Sequence, residues 1–464
     1  MKKIYSDLVA RVPEYKEFHT VDKLDTNSKN LAEKFPNIVE LFELGKSRDN
    51  HSIYCLKIGN GRNNGLMFGC PHPNEPVGTM MLEYFTEELA KNKQLRETLD
   101  YTWYIVKCWD VDGTKLNEKW FKGPFTLYNY SRNFFRPASN QQVDWTFPID
   151  YKNLHFHDIL PETKAMMTLI DQIKPIFIYS LHNSGFGGAY WYITDEAEEV
   201  YDDLRNAAIK QGVPLSLGEA ESPECEAYDR AIYKNLGLKA IYDHMEKYGE
   251  THPEKYIKNG TMSSDYAKTH YNSFTLLTEI PYFSSKDTSD LSESAITRKD
   301  VVLKKIAANT VIDSFINKTL ANIDSYIRED NPFKLALDSF IGDDNSNKIL
   351  RKMIEDNPDF LRKATESERF DNLFISKFYK MLSVGLLVRA IEVELEKIKN
   401  TEEINTAKAK SLKSNFNSSL DKLKKLNGEL EKNIDYKVVP IKKLVSIQLE
   451  CGLIMAEFLK NIKN

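Results

Sequence analysis

Up to about residue 285 the chain alternates between two spacings of apolar residues. Ser52–Gly59 (SIYCLKIG) alternates apolar and polar positions and stops at glycine, and Asn64–Cys70 (NGLMFGC) is a short continuous apolar run. Both patterns predict strands. Val77–Asn92 carries Met81, Tyr84, Phe85 and Leu89 at helical spacing. Tyr101–Trp109 (YTWYIVKCW) is rich in β-branched and aromatic residues, which predicts a strand, and DVDG after it predicts a turn. Pro161–Lys174 has Pro and Glu in its first turn, as helices do, and Pro175–His182 (PIFIYSLH) returns to strand character. AYWYIT, PLSLG and Ser273–Phe283 (SFTLLTEIPYF) add further strand segments. Strands separated by helices predict an α/β fold with a mixed, mostly parallel central sheet flanked by helices.

The pattern changes after about Pro281. From Lys286 onward glycine and proline thin out, and Lys, Glu, Asn, Leu and Ile dominate. The segments ITRKDVVLKKIAANTVIDSFINKTLANIDSYI, ERFDNLFISKFYKMLSVGLLVRAIEVELEKI and VPIKKLVSIQLECGLIMAEFLKNI all carry 3.6-residue spacing. They predict four to six helices in a bundle-like region. The expected division is an α/β domain over 1–285 and an all-α region over 286–464. SLKSNFNSSLDKLKKLNGELEKNI is more polar and predicts a solvated amphipathic helix. Docking of a partner protein or self-association is the alternative use of these C-terminal helices.

Composition narrows the class. The 464 residues carry a net charge of −5, with 41% hydrophobic residues, enough for a substantial core and without the basic excess of a nucleic-acid or membrane-surface binder. The five cysteines are scattered and form no CxxC pair, so neither a disulfide framework nor a thiolate metal site is expected. The opening MKKIYSDLVARVPEYKEF lacks the apolar stretch of a secretory signal, and Met381–Val388 is too short to span a bilayer. A reducing, cytoplasmic setting is the expectation.

The chemistry gathers at strand ends. In GCPHPNEPVG, His72 and Glu75 follow an apolar run and precede a helix. Strand C-termini are where open α/β sheets bind ligands. His and Glu three apart can converge on one ion, and zinc accepts imidazole nitrogen and carboxylate oxygen. His182, at the end of another strand and before a Gly-rich turn, is the candidate third ligand. Glu279 sits inside the apolar run SFTLLTEIPYF. An unpaired carboxylate there is costly, so it is paired, protonated or functional, and near an activated water it can act as general base.

HPNE at His72–Glu75, SLH at Ser180–His182 and LLTEIPYF around Glu279, in that order and spacing, resemble the zinc carboxypeptidase family, the carboxypeptidase A-like metallopeptidases. DVDG, the Pro-Glu-Thr helix and GTMSSDYAKTHYNSFTLLTEIPYF resemble further family segments, and the likeness runs over roughly residues 20 to 285. The resemblance implies one Zn2+ held by His72, Glu75 and His182, with Glu279 as general base and acid. It implies that Asp144, in QQVDWTFP, supports the first zinc-binding His. It also implies substrate contacts from Tyr256 and Asn183, and hydrolysis of an amide bond in a peptide or peptide-like substrate.

Departures qualify the substrate. The family's Asn-Arg pair, which holds a substrate's terminal carboxylate, is replaced here by Trp145, Thr146 and Phe147. Upstream, YSRNFFRP offers Arg132 and Arg136. By spacing, the resemblance implies that Arg132 is the family's oxyanion-stabilising arginine; alternatively SRNF is a displaced carboxylate clamp, and Arg136 is a candidate substrate contact. Two rival readings follow: a deacylase or amidase on a modified amino acid or cell-wall fragment, and a catalytically inactive binding module. His155 and His157 read as loop histidines at the site entrance. The acidic stretch Gly218–Asp229 reads as a solvated loop, or as a cleft rim favouring amine-bearing substrates.

Overall fold

A computed structural model describes residues 2–341, 344–399 and 406–462. Among these residues, nine strands form one mixed sheet: β1 (Val39–Lys46), β2 (Ser52–Ile58), β3 (Asn63–Phe68), β4 (Tyr101–Val106), β5 (Phe177–Leu181), β6 (Tyr190–Ile193), β7 (Ala227–Asp229), β8 (Ile232–Lys234) and β9 (Phe274–Glu279). Their spatial order is β1-β2-β4-β3-β5-β9-β6-β8-β7. The four central strands β4, β3, β5 and β9 run parallel, while β1–β2, β2–β4, β6–β9 and β7–β8 pair antiparallel. Phe68 lies opposite Ser180 and Leu181 opposite Thr278. The C-terminal ends of β3, β5 and β9 therefore finish level at one edge.

The helices used below are α1 (Val21–Lys34), α2 (Val77–Lys91), α3 (Leu127–Asn133), α4 (Pro161–Ile173), α5 (Glu198–Ile209), α6 (Arg298–Ile323), α7 (Ser376–Ile398), α8 (Ala407–Asn433) and α9 (Ile441–Ile462). Alternate residues of the central strands serve two cores. Leu66, Phe68 and Ile178 pack with Val21 and Leu24 of α1 and with Met166 and Ile170 of α4. Met67, Phe177 and Tyr179 pack on the other face with α2, α5 and α9.

The sequence left the placement of the C-terminal helices open. In the structure α9 lies on the sheet itself. Leu444, Val445, Ile447, Leu449, Leu453 and Met455 are all buried, so α9 is apolar nearly all round, as a helix covered on both sides must be. Tyr101 Oη donates to the Ala456 carbonyl at 3.0 Å and Tyr179 Oη to the Gln448 carbonyl at 2.8 Å. One apolar cluster thus continues across residue 285. Helix α7 crosses α3 at Gly385, where a Cβ would stand 1.9 Å from the Ser131 carbonyl oxygen; only glycine permits that approach.

Local expectations differ in three places. PLSLG makes a single bridge, Leu215 to Ala189, in place of a strand. DVDG opens a short helix, Val111–Asn117, because Asp110 caps it by accepting from Gly113 N at 2.9 Å. Among the described residues seven α-helices follow residue 285, against four to six expected. The short ones are set by caps such as Asn331 and Thr365, not by long apolar periods.

Candidate metal centre

The strand ends build the site. After β3, Gly69 passes so close to its neighbours that a Cβ would lie 2.6 Å from the Lys107 carbonyl oxygen. Cys70 then adopts a φ of 47°, a left-handed turn that costs a non-glycine residue roughly 1–2 kcal/mol and redirects the chain toward His72 and Glu75. Helix α2 starts immediately afterward. Its Val77 N–H, an orphan donor of the first turn, donates to Asn183 Oδ1 at 3.1 Å. His182 directly follows β5, and Glu279 is the last residue of β9.

One ligand atom each of His72, Glu75 and His182 lie within 4.8 Å of one another. All three residues are 3% exposed or less. His182 Nδ1 is 3.0 Å from Glu75 Oε2 and 3.7 Å from Glu279 Oε1, while its Nε2 is 2.8 Å from Ser180 Oγ. The two imidazoles meet edge to face with centroids 4.9 Å apart. Nδ1 of His72 and Nδ1 of His182 are both buried without a hydrogen-bond partner, so the short approach to Glu75 is not aligned for proton sharing. Unpaired buried polar atoms cost about 1–3 kcal/mol each. A cation between the three groups removes that cost. Burial, with the charges of Arg136 and His182, holds His72 well below the ordinary imidazole value, which keeps it in the neutral, ligating form. Two imidazoles and one carboxylate suit zinc and leave a coordination position open.

Glu279 borders this group and is 8% exposed. Burial, then the charges of Glu75 and Glu221, raise its acid well above the ordinary value; Arg136 opposes them. Arg136 Nη1 is 3.3 Å from Glu75 Oε1, its Nε donates to Gln142 Oε1 at 3.0 Å, and its guanidinium lies 5.3 Å from the Trp145 ring. Trp145 in turn packs edge-on to His72 at 5.3 Å.

The other residues singled out in the sequence make contacts of their own. Arg132, expected at the oxyanion, forms a two-pronged pair with Glu392 of α7, one contact being 3.1 Å. It lies in the last turn of α3, and its guanidinium is taken up by this pair with α7. Asn183, expected to touch substrate, is buried and uses its atoms internally: Oδ1 accepts from Val77 and Tyr282, and its N–H approaches Glu75 Oε2 at 3.3 Å. Asp144, expected beside His72, accepts from Ser263 N at 2.9 Å, and burial raises its acid to about 6. Gln142, which accepts from Arg136 Nε, is fully buried beside this group. Tyr256 follows a turn at Pro253–Lys255 and is 43% exposed. His155 and His157 both pair with Asp150, at 2.7 and 3.1 Å, in a solvated hairpin.

The C-terminal helices supply groups that no motif marked. Gln448 of α9, fully buried, donates through Nε2 to the His182 carbonyl at 2.9 Å. Tyr379 of α7 accepts from Gly185 N at 3.3 Å. These contacts arise between segments far apart in sequence, and no local pattern announces them. Gln448→Leu is expected to weaken zinc binding about 10-fold, the scale of losing a hydrogen bond that orients a ligand. Competition against a chelating dye, with circular dichroism as the folding control, measures it.

A family model described as zinc carboxypeptidase matches residues 25–290. Mast cell carboxypeptidase A of Mus musculus is 26% identical over 135 residues, covering 27% of this chain and 32% of that protein. Carboxypeptidase D of Mus musculus is 23% identical over 241 residues, 49% of this chain and 17% of that protein. The chain therefore spans about a third or less of the length of these curated relatives. A crystal structure of the carboxypeptidase A from Helicoverpa armigera is 14% identical and covers 60% of this chain and 71% of that one, at a TM-score of 0.35.

Proposed function

The chain belongs to the zinc carboxypeptidase family, and on that premise we propose that it hydrolyses an amide bond in a peptide or peptide-like substrate, with one zinc ion held by His72, Glu75 and His182. The observation that carries this reading is the convergence of three buried donors, two of them nitrogens without a hydrogen-bond partner. Zinc in such a site supplies a Lewis acid for the scissile carbonyl and a water that ionises near neutral pH.

The chain's own groups do the rest. Glu279 takes the proton from the attacking water and delivers it to the leaving amine. Its closeness to His182 and the burial that raises its acid support a carboxylate ready to accept a proton. Arg136 donates to the carbonyl oxygen as negative charge develops there, a role that passes to it because Arg132 is paired with Glu392. Arg136→Met is expected to lower kcat about 100-fold with zinc content and KM little changed. A rise in KM confined to substrates with a free C-terminus would make Arg136 a carboxylate clamp instead.

One observation favours the deacylase or amidase form of the reading. The positions after Asp144 carry no cation to read a terminal carboxylate: Thr146 and Phe147 are fully buried, and Thr146 Oγ1 lies 2.6 Å from Thr163 Oγ1. Comparing hydrolysis of peptides with free and amidated C-termini separates the two. Equal rates favour the amidase form, and strong preference for the free carboxylate favours carboxypeptidase action.

A further inference from the structure

This inference rests on the hydrolase reading and concerns what the substrate carries next to its scissile bond. In the antiparallel pair β9–β6, Glu279 lies opposite Tyr190 and Leu277 opposite Tyr192. Directly opposed and alternate residues share one face of a sheet, so both tyrosines project on the side of Glu279. Both hydroxyls donate to the same oxygen, Glu221 Oε2, at 3.4 Å from Tyr190 and 3.0 Å from Tyr192. Glu221 belongs to the acidic stretch 218–229.

The root of that stretch is held by the C-terminal helical region. Glu219 forms a two-pronged pair with Arg298 at the start of α6, one contact being 3.0 Å, and Glu219 N donates to Asp371 Oδ2 at 2.8 Å. Ser367 Oγ donates to the Leu217 carbonyl at 3.2 Å. Glu219 is thereby neutralised, whereas among the described residues Glu221 has no Lys, Arg or His within ion-pair distance. Tyr379, 44% exposed, closes the same region from α7, with its hydroxyl on the backbone three residues beyond His182. The result is an exposed carboxylate without a counter-charge, oriented by two phenols, whose charge is felt by the general base.

We propose that Glu221, with Tyr190, Tyr192 and Tyr379, forms a subsite for a primary ammonium group carried by the substrate beside the scissile amide. The carboxylate supplies charge attraction, and tyrosine faces add cation–π attraction. A substrate carboxylate is repelled there, and an uncharged chain leaves Glu221 without a counter-charge.

The test uses the full chain as the zinc-loaded Glu279→Gln variant, so that binding is read without turnover. The probes are alanine tetrapeptides with lysine, or its uncharged analogue norleucine, placed at each position in turn. Calorimetry is expected to give about tenfold tighter binding of lysine over norleucine at one position, equivalent to about 1.4 kcal/mol. Adding Glu221→Gln is expected to bring that ratio to near one. Equal affinities at every position, no binding of either series, or a lysine preference that survives Glu221→Gln would each overturn the subsite. Hydrolysis of the same peptides by the unmodified protein reports separately on the reading beneath. Selective binding without cleavage keeps the subsite and removes the hydrolase, and cleavage without selectivity does the reverse.

Discussion

Glu279→Gln is expected to bind zinc as fully as the unaltered protein and to lose turnover by about 1,000-fold, within the range that general acid–base catalysis supplies. The change keeps shape and volume and removes only the ability to hold a proton. Glu279 is not among the three converging donors, so the metal group is untouched. Amide replaces carboxylate 3.7 Å from His182 Nδ1, while Glu75 is one of the proposed donors and Glu221 is exposed. The residual activity should also lose the acid limb of its pH profile, since that limb reports the protonation of the missing base. Metal analysis paired with single-turnover rates checks both halves; full activity in this variant would end the general-base assignment.

His182→Ala is expected to act one step earlier. It removes one of the three proposed protein donors, so zinc affinity should fall by more than about 100-fold, beyond the cost of losing an outer hydrogen bond. Glu75 is then left buried with Arg136 as its nearest cation, and an acid 2% exposed is costly in that setting. Some loss of thermal stability should accompany the loss of metal. The contrast with Glu279→Gln is diagnostic: one variant is loaded and silent, the other silent because it cannot be loaded. Metal content after dialysis against zinc-buffered solution distinguishes them.

What could be read from the sequence follows from where the chemistry sits. His72, His182 and Glu279 each end a short apolar run, and such runs are legible because β3, β5 and β9 are buried on both faces. Spacing alone could not say which arginine faces the metal group. Arg132 and Arg136 are four residues apart across the end of α3, and the packing of α7 against α3 draws the first toward Glu392. Asn183, the expected substrate contact, accepts through Oδ1 from the Val77 N–H at the start of α2 in the structure.

The helical half hid most. Gln448 lies 266 residues from His182, and nothing in the apolar periodicity of α9 marks one buried glutamine as a hydrogen-bond donor to a ligand residue. Tyr379 and the anchoring of Glu219 by Arg298 are of the same kind: groups on α6 and α7 whose partners are fixed only once those helices dock. The C-terminal region therefore reaches the His182 carbonyl through α9 and contacts Gly185 and Glu219 through α7 and α6.

Diffraction at the zinc absorption edge from crystals of the full chain tests the central claim most directly. One anomalous peak is expected, about 2.0–2.2 Å from a ring nitrogen of His72, a ring nitrogen of His182 and a carboxylate oxygen of Glu75. A peak at any other place, or none in crystals grown from protein carrying one equivalent of zinc, would contradict it.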